Sequence, residues 1–140
     1  MELDTSQIVA RDSFSYEFSF SRKDLEEFII LSGDSNDIHL DPQAALESPI
    51  GEMAIPGLLT AMIFSRVLGT IFPGHGTVYR SQSLEFLYPV VLGVRYVAHF
   101  RVLNVNPKHH RARIDTTVED PETGKICLEG VAVVINKRRL

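Results

Sequence analysis

Between Gly33 and Pro42 the chain reads GDSNDIHLDP, which places Asp34, Asn36, Asp37, His39 and Asp41 within eight residues. A carboxylate and an imidazole five residues apart on a short loop can converge on one small cavity. Such a pair can take a proton from a reacting group and return one. The same residues also suit an ordinary loop, because Asp, Asn and Ser favour turns, and Asp41-Pro42 fits the start of a further helical piece. Zinc is a poorer reading, since one His among carboxylates lacks the repeated His/Cys spacing zinc takes. Calcium fits no better, because the run has neither the glycine nor the closing glutamate of an EF-hand.

A second chemical feature lies at the start of the apolar run IPGLLTAMIFSRVLG, Ile55 to Gly69. The first N–H groups of a helix have no partner within it and carry partial positive charge. Pro56 has no N–H, so the donors begin at Gly57 and Leu58, and Gly57 has no side chain to hold a ligand off the backbone. That arrangement could serve as an oxyanion hole for a carbonyl that gains negative charge. An ordinary helix start in a tight corner has the same residues.

These groups need elements to position them. The run Ile55 to Gly69 is apolar nearly all round, which predicts a buried helix, with Pro56 at its first position and Gly69 at its stop. It is too short to span a bilayer, which takes about 20 residues. Upstream, Asp12 to Phe20 alternates, with Phe14, Tyr16, Phe18 and Phe20 on one face, as a half-buried strand does. Ser21 with Asp24 three residues on marks a helix start. The helix that follows would bury Leu25, Phe28, Ile29 and Leu31 and end near Gly33. Pro42 to Glu47 reads as a short helix. After Gly69 come four predicted strands, Thr77 to Tyr88, Val94 to Leu103, Arg111 to Val118 and Ile126 to Asn136, joined largely by short turns. That order implies an α+β fold in which one antiparallel sheet wraps a central helix.

The 140 residues make one domain, residues 1–140, with 44% hydrophobic content to fill a core. A net charge of -4 and an isoelectric point near 5.7 argue against a nucleic-acid partner. The single Cys127 excludes an intrachain disulfide framework. With no targeting segment at the N-terminus and no membrane-inserting segment, a cytoplasmic protein is expected.

The run FIILSGDSNDIHLDPQAA, Phe28 to Ala45, resembles the hydratase signature of the MaoC-like, (R)-specific enoyl-CoA hydratases. There an aromatic residue precedes Ser/Thr-Gly-Asp-x-Asn-Pro-aliphatic-His-x-Asp. The likeness continues through AIPGLLTAMIFSRVLG and PGHGTVYRSQSLEFLYPV, so it covers about Ser21 to Gly93, while the last strands match only in pattern. The resemblance implies a hot-dog fold, pairing of two chains through their sheets as a homodimer, and an acyl-CoA or acyl-carrier-protein thioester as substrate. It assigns Asp34 and His39 as the catalytic pair, Gly57 as the amide that binds the thioester oxygen, and Asn36 and Ser65 as supporting residues. The implied reaction adds water across a trans-2-enoyl thioester to give the (R)-3-hydroxyacyl thioester, or reverses it. It needs no metal and no cofactor, CoA being part of the substrate. An acyl-CoA thioesterase, or a non-catalytic acyl-thioester-binding subunit or sensor, are the alternatives on the same fold.

Two positions depart from the family pattern. Asp37 stands where proline is usual, freeing the loop backbone and adding a carboxylate near His39. Pro56 stands where histidine is common before Gly57. Neither removes an acid–base group. Elsewhere, His75 in its turn and His99 on a polar strand face read as surface residues, His109 and His110 make a poor chelating pair, and Cys127 reads as a packed thiol. The closing NKRR, Asn136 to Arg139, reads as a solvated basic tail.

Overall fold

The computed structural model describes residues 6–140. Strand β1 spans Ser13–Phe18, followed by helix α1, Arg22–Ser32. A capping box starts α1: the Ser21 hydroxyl accepts from the Asp24 N–H at 3.2 Å, and the Asp24 carboxylate accepts from the Ser21 N–H at 2.8 Å. Gly33, at φ 73°, ends it in the left-handed conformation that glycine adopts without strain. A single 3-10 turn, Asp37–His39, leads to α2, Pro42–Glu47, and then to α3, Gly57–Thr70.

The remaining strands are β2 (Val78–Gln82), β3 (Glu85–Phe86), β4 (Tyr96–Asn106), β5 (Arg111–Glu119) and β6 (Ile126–Ile135). They form one sheet in the order β1-β4-β5-β6-β2, with β3 beside β6, and every pair is antiparallel. The alternation read from the sequence is the inward and outward alternation of this sheet. Tyr96, Ala98, Phe100 and Val102 on β4, and Ala112, Ile114 and Val118 on β5, are buried against α3. The Phe64 ring of α3 meets the Phe100 ring edge-on at 5.8 Å. The sheet wraps the central helix, and the fold is the hot-dog fold.

Four readings need correction. The expected strand Thr77 to Tyr88 is two strands, so five follow α3. The break falls at Ser83, which leaves the ladder so that its N–H donates to the Val131 carbonyl at 3.0 Å and its hydroxyl accepts from the Val131 N–H at 2.8 Å. Gly130 permits this, since a Cβ there would overlap the Ser83 carbonyl oxygen. Second, α3 is not buried all round: Leu59, Thr60, Ile63, Phe64, Val67 and Leu68 face the sheet, while Leu58 is 62% and Met62 50% exposed. Apolar residues there mark a face that the described residues leave uncovered. Third, Leu31 is 84% exposed and takes no part in the buried side of α1.

Fourth, the NKRR tail is docked. Asn136 is fully buried, and its amide donates to the carbonyls of Gly74 and His75 and to the Thr77 hydroxyl, at 3.4, 3.3 and 3.0 Å. Its oxygen accepts from the N–H groups of Arg138 and Arg139, at 2.8 and 3.0 Å. The Arg139 guanidinium donates to the carbonyls of Ser6 and Pro73, at 2.6 and 2.7 Å. A guanidinium can be buried when its donors meet carbonyls in this way, and only Lys137 and Arg138 of the four remain exposed.

Candidate active site

The loop after α1 is shaped by its own polar residues. The Ser32 hydroxyl accepts from the Asp34 N–H at 3.0 Å, and an Asp34 carboxylate oxygen accepts from the Asn36 N–H at 3.4 Å. The Asn36 side-chain oxygen accepts from the Ile38 N–H at 3.3 Å and so caps the 3-10 turn. Asp41 caps α2 in the same manner, accepting from the Gln43 N–H at 3.1 Å, with Pro42 at the first helical position. Asp41 thus does the structural job that the loop's composition allowed. Asp37 is exposed in the first position of the 3-10 turn.

The 3-10 turn carries His39 inward, where it is 9% exposed. Its Nδ1 lies 2.6 Å from the Ala54 carbonyl oxygen. A carbonyl only accepts, so Nδ1 holds a hydrogen and Nε2 is the ring nitrogen left to exchange a proton. Asp34 and His39 line one cavity of about 330 Å³ together with Gly57, Pro56, Ala54 and the segment Phe86–Val90.

The start of α3 forms another wall. Pro56 is the residue before the helix rather than its first position, because its ψ of 135° is extended, and no side chain caps this end. The Leu59 and Thr60 N–H groups donate to the Pro56 carbonyl, at 3.1 and 3.4 Å. Among the described residues, nothing accepts from the N–H groups of Gly57 or Leu58. They are the unsatisfied donors expected at a helix start. The Phe86 ring lies over Gly57 so closely that a Cβ there would overlap it.

Ser65 is not brought to this cavity. Eight residues beyond Gly57, it sits about 12 Å farther along the helix axis, exposed, in a shallow groove with Leu58, Met62, Tyr79 and Gln82. Sequence reasoning missed Thr60, Phe86 and Cys127 as lining residues. Thr60 alone gave a signal, as a polar residue on the buried side of an apolar helix. Cys127 is buried, and desolvation pushes its thiol pKa up, as expected of an inert packed thiol. Among the described residues, no cluster of His, Cys, Asp and Glu is arranged to hold a metal ion, and no helix is long and apolar enough to cross a membrane.

The chain is similar to several known proteins. A 3-hydroxybutyryl-CoA dehydratase of Methylorubrum extorquens is 38% identical over 114 residues, which is 81% of this chain and 71% of that protein. An (R)-specific enoyl-CoA hydratase of Aeromonas caviae is 33% identical over 115 residues, 82% of this chain and 85% of its own. The solved structure of an (R)-hydratase from A. caviae superimposes with a TM-score of 0.84 at 29% identity, covering 92% of this chain and 97% of that one. The family model described as a MaoC like domain matches residues 6–126, and the chain therefore belongs to the MaoC-like family.

Proposed function

We propose that this protein adds water to trans-2-enoyl thioesters to give (R)-3-hydroxyacyl thioesters, and catalyses the reverse dehydration. It is a hydro-lyase, the class to which the named relatives belong. The observation that carries the finer reading is the meeting of Asp34, His39 and the unpartnered Gly57 N–H around one cavity. Asp34 and His39 would hold a water molecule between them. One of the two takes a proton as the water oxygen bonds to C3, while the C2–C3 π electrons shift toward the thioester carbonyl. The Gly57 N–H stabilises the negative charge on that oxygen. A proton delivered from the site to C2 completes the addition, with no net change in protonation or oxidation state of the enzyme, so no redox cofactor is required, and with the Gly57 N–H at the carbonyl oxygen the proposed reaction uses no metal.

The Nδ1 bond to Ala54 supports His39 in this role, because it holds the ring with Nε2 as the exchanging nitrogen. The substrate is an acyl-CoA or an acyl-carrier-protein thioester. The exposed Leu58 and Met62 beside the edge strand β2 support a homodimer as the working form, and the cytoplasm is the proposed compartment. Purified protein given crotonyl-CoA tests the reading. Loss of the enoyl absorbance without release of free thiol, with an (R)-3-hydroxy product on chiral analysis, is expected. Thiol release would instead identify a thioesterase.

A further inference from the structure

Thr60 lies one helical turn beyond Gly57 on the same side of α3 and lines the same cavity. It is 2% exposed. Among the described residues, its hydroxyl is the only buried side-chain polar group without a hydrogen-bond partner. A threonine hydroxyl inside a helix ordinarily donates to the carbonyl four residues back. Here that carbonyl belongs to Pro56 and accepts the Leu59 and Thr60 N–H groups instead. A buried hydroxyl left unpaired destabilises the fold, and such groups call for a missing partner.

The surroundings identify that partner. Helix side chains tilt toward the N-terminus, so the Thr60 side chain leans over the turn that begins at Gly57. Gly57 leaves a notch there, with free N–H groups at its edge and the Phe86 ring as its cover. Phe86 is half-exposed and belongs to a strand of two residues, so little packing holds it in place. An oxygen entering the notch once that ring swings aside meets two kinds of donor, the Gly57 amide and the Thr60 hydroxyl.

We infer that Thr60 is a catalytic residue, whose hydroxyl is the second hydrogen-bond donor to the thioester carbonyl oxygen beside the Gly57 amide. This rests on the reading above that the carbonyl is seated at Gly57. As negative charge gathers on the oxygen the bond strengthens, so Thr60 lowers the barrier more than it tightens binding.

Thr60→Val keeps the shape and removes the hydroxyl; Thr60→Ser keeps the hydroxyl. For crotonyl-CoA hydration, kcat should fall about 100-fold in Thr60→Val and stay within about threefold of the parent in Thr60→Ser, with KM little changed in both. The urea midpoint of Thr60→Val should rise, because the unpaired hydroxyl is gone. A second readout does not need turnover: infrared spectra of bound butyryl-CoA carrying carbon-13 at its carbonyl. The labelled carbonyl band should lie lower in the parent and in Thr60→Ser than in Thr60→Val. Equal bands, no binding of butyryl-CoA, a lowered urea midpoint in Thr60→Val, or an unchanged kcat in an active enzyme would each overturn the inference. If the parent hydrates no enoyl-CoA but the band difference is present, the hydratase reading falls and the carbonyl site at Gly57 and Thr60 stands.

Discussion

His39 donates from Nδ1 to the carbonyl oxygen of Ala54 at 2.6 Å, tying the loop after α1 to the segment that leads into α3. One bond thereby sets the ring's tautomer and brings the two halves of the site together. Its removal should be felt twice. His39→Ala leaves the Ala54 carbonyl without this donor, costing about 1–3 kcal/mol of stability, and lowers hydration by about 100-fold or more. Urea denaturation and crotonyl-CoA kinetics measure the two effects.

Asp34 separates them. Its side chain is exposed and accepts only a long bond from the Asn36 N–H, at 3.4 Å. Asp34→Asn keeps an acceptor oxygen there, so stability should stay within about 0.5 kcal/mol of the parent. Hydration should still fall by about 100-fold or more, because the amide can neither take up nor release a proton in the reaction. A variant that is both folded and active would remove Asp34 from the acid–base pair.

Asp37 tests the departure from the family pattern. Asn36 before it has ψ 126°, the extended conformation required ahead of a proline. The Asp37 N–H donates to no group among the described residues, and the residue opens the 3-10 turn. Asp37→Pro should therefore be accommodated and should stabilise by about 0.4–1 kcal/mol through the unfolded chain. Calorimetry should show a Tm higher by about 2 °C; a lower Tm would mean that the N–H or the φ angle does not suit proline.

Partial burial of Tyr79, which stays 38% exposed, pushes its phenol from 10.0 up to about 12. In the unfolded chain the phenol gives up its proton near 10.0, whereas the folded state keeps it until about 12. The folded state thus binds more protons across that window, so stability falls as pH rises through it and is fully present below. Tyr79→Phe should flatten this alkaline loss, seen by comparing urea midpoints at about pH 9 and about pH 11.5. Equal slopes in parent and variant would refute the assignment.

The Asn136 side chain makes five hydrogen bonds from a fully buried position, three as donor and two as acceptor. Asn136→Leu fills a similar volume and satisfies none of them. A loss of about 3 kcal/mol is expected in urea, with loosening of the Phe72–Thr77 turn visible as faster amide exchange there. A variant of parental stability would show that the tail is not held by this side chain.

What the sequence determined by itself was local or periodic. The capping box at Ser21, the helix start at Asp41-Pro42, and the alternation along β1, β4 and β5 involve residues within a few positions of each other, so their types reveal them. The grouping of Asp34 and His39 was visible for the same reason, and the family motif around them is what suggests the proposed chemistry. What only the tertiary structure decided depends on distant partners. Arg139 is buried because Ser6, 133 residues away, supplies a carbonyl to it. Leu58 and Met62 are exposed because, among the described residues, no element covers that side of α3. Ser65 parts from the cavity because the helix axis carries it away, and Thr60 acquires meaning only where the fold buries its hydroxyl with no partner. Hydrophobicity and spacing say which face of a helix seeks burial. Which residues then meet is settled by packing across the whole chain, where each polar group must find a partner or be left without one.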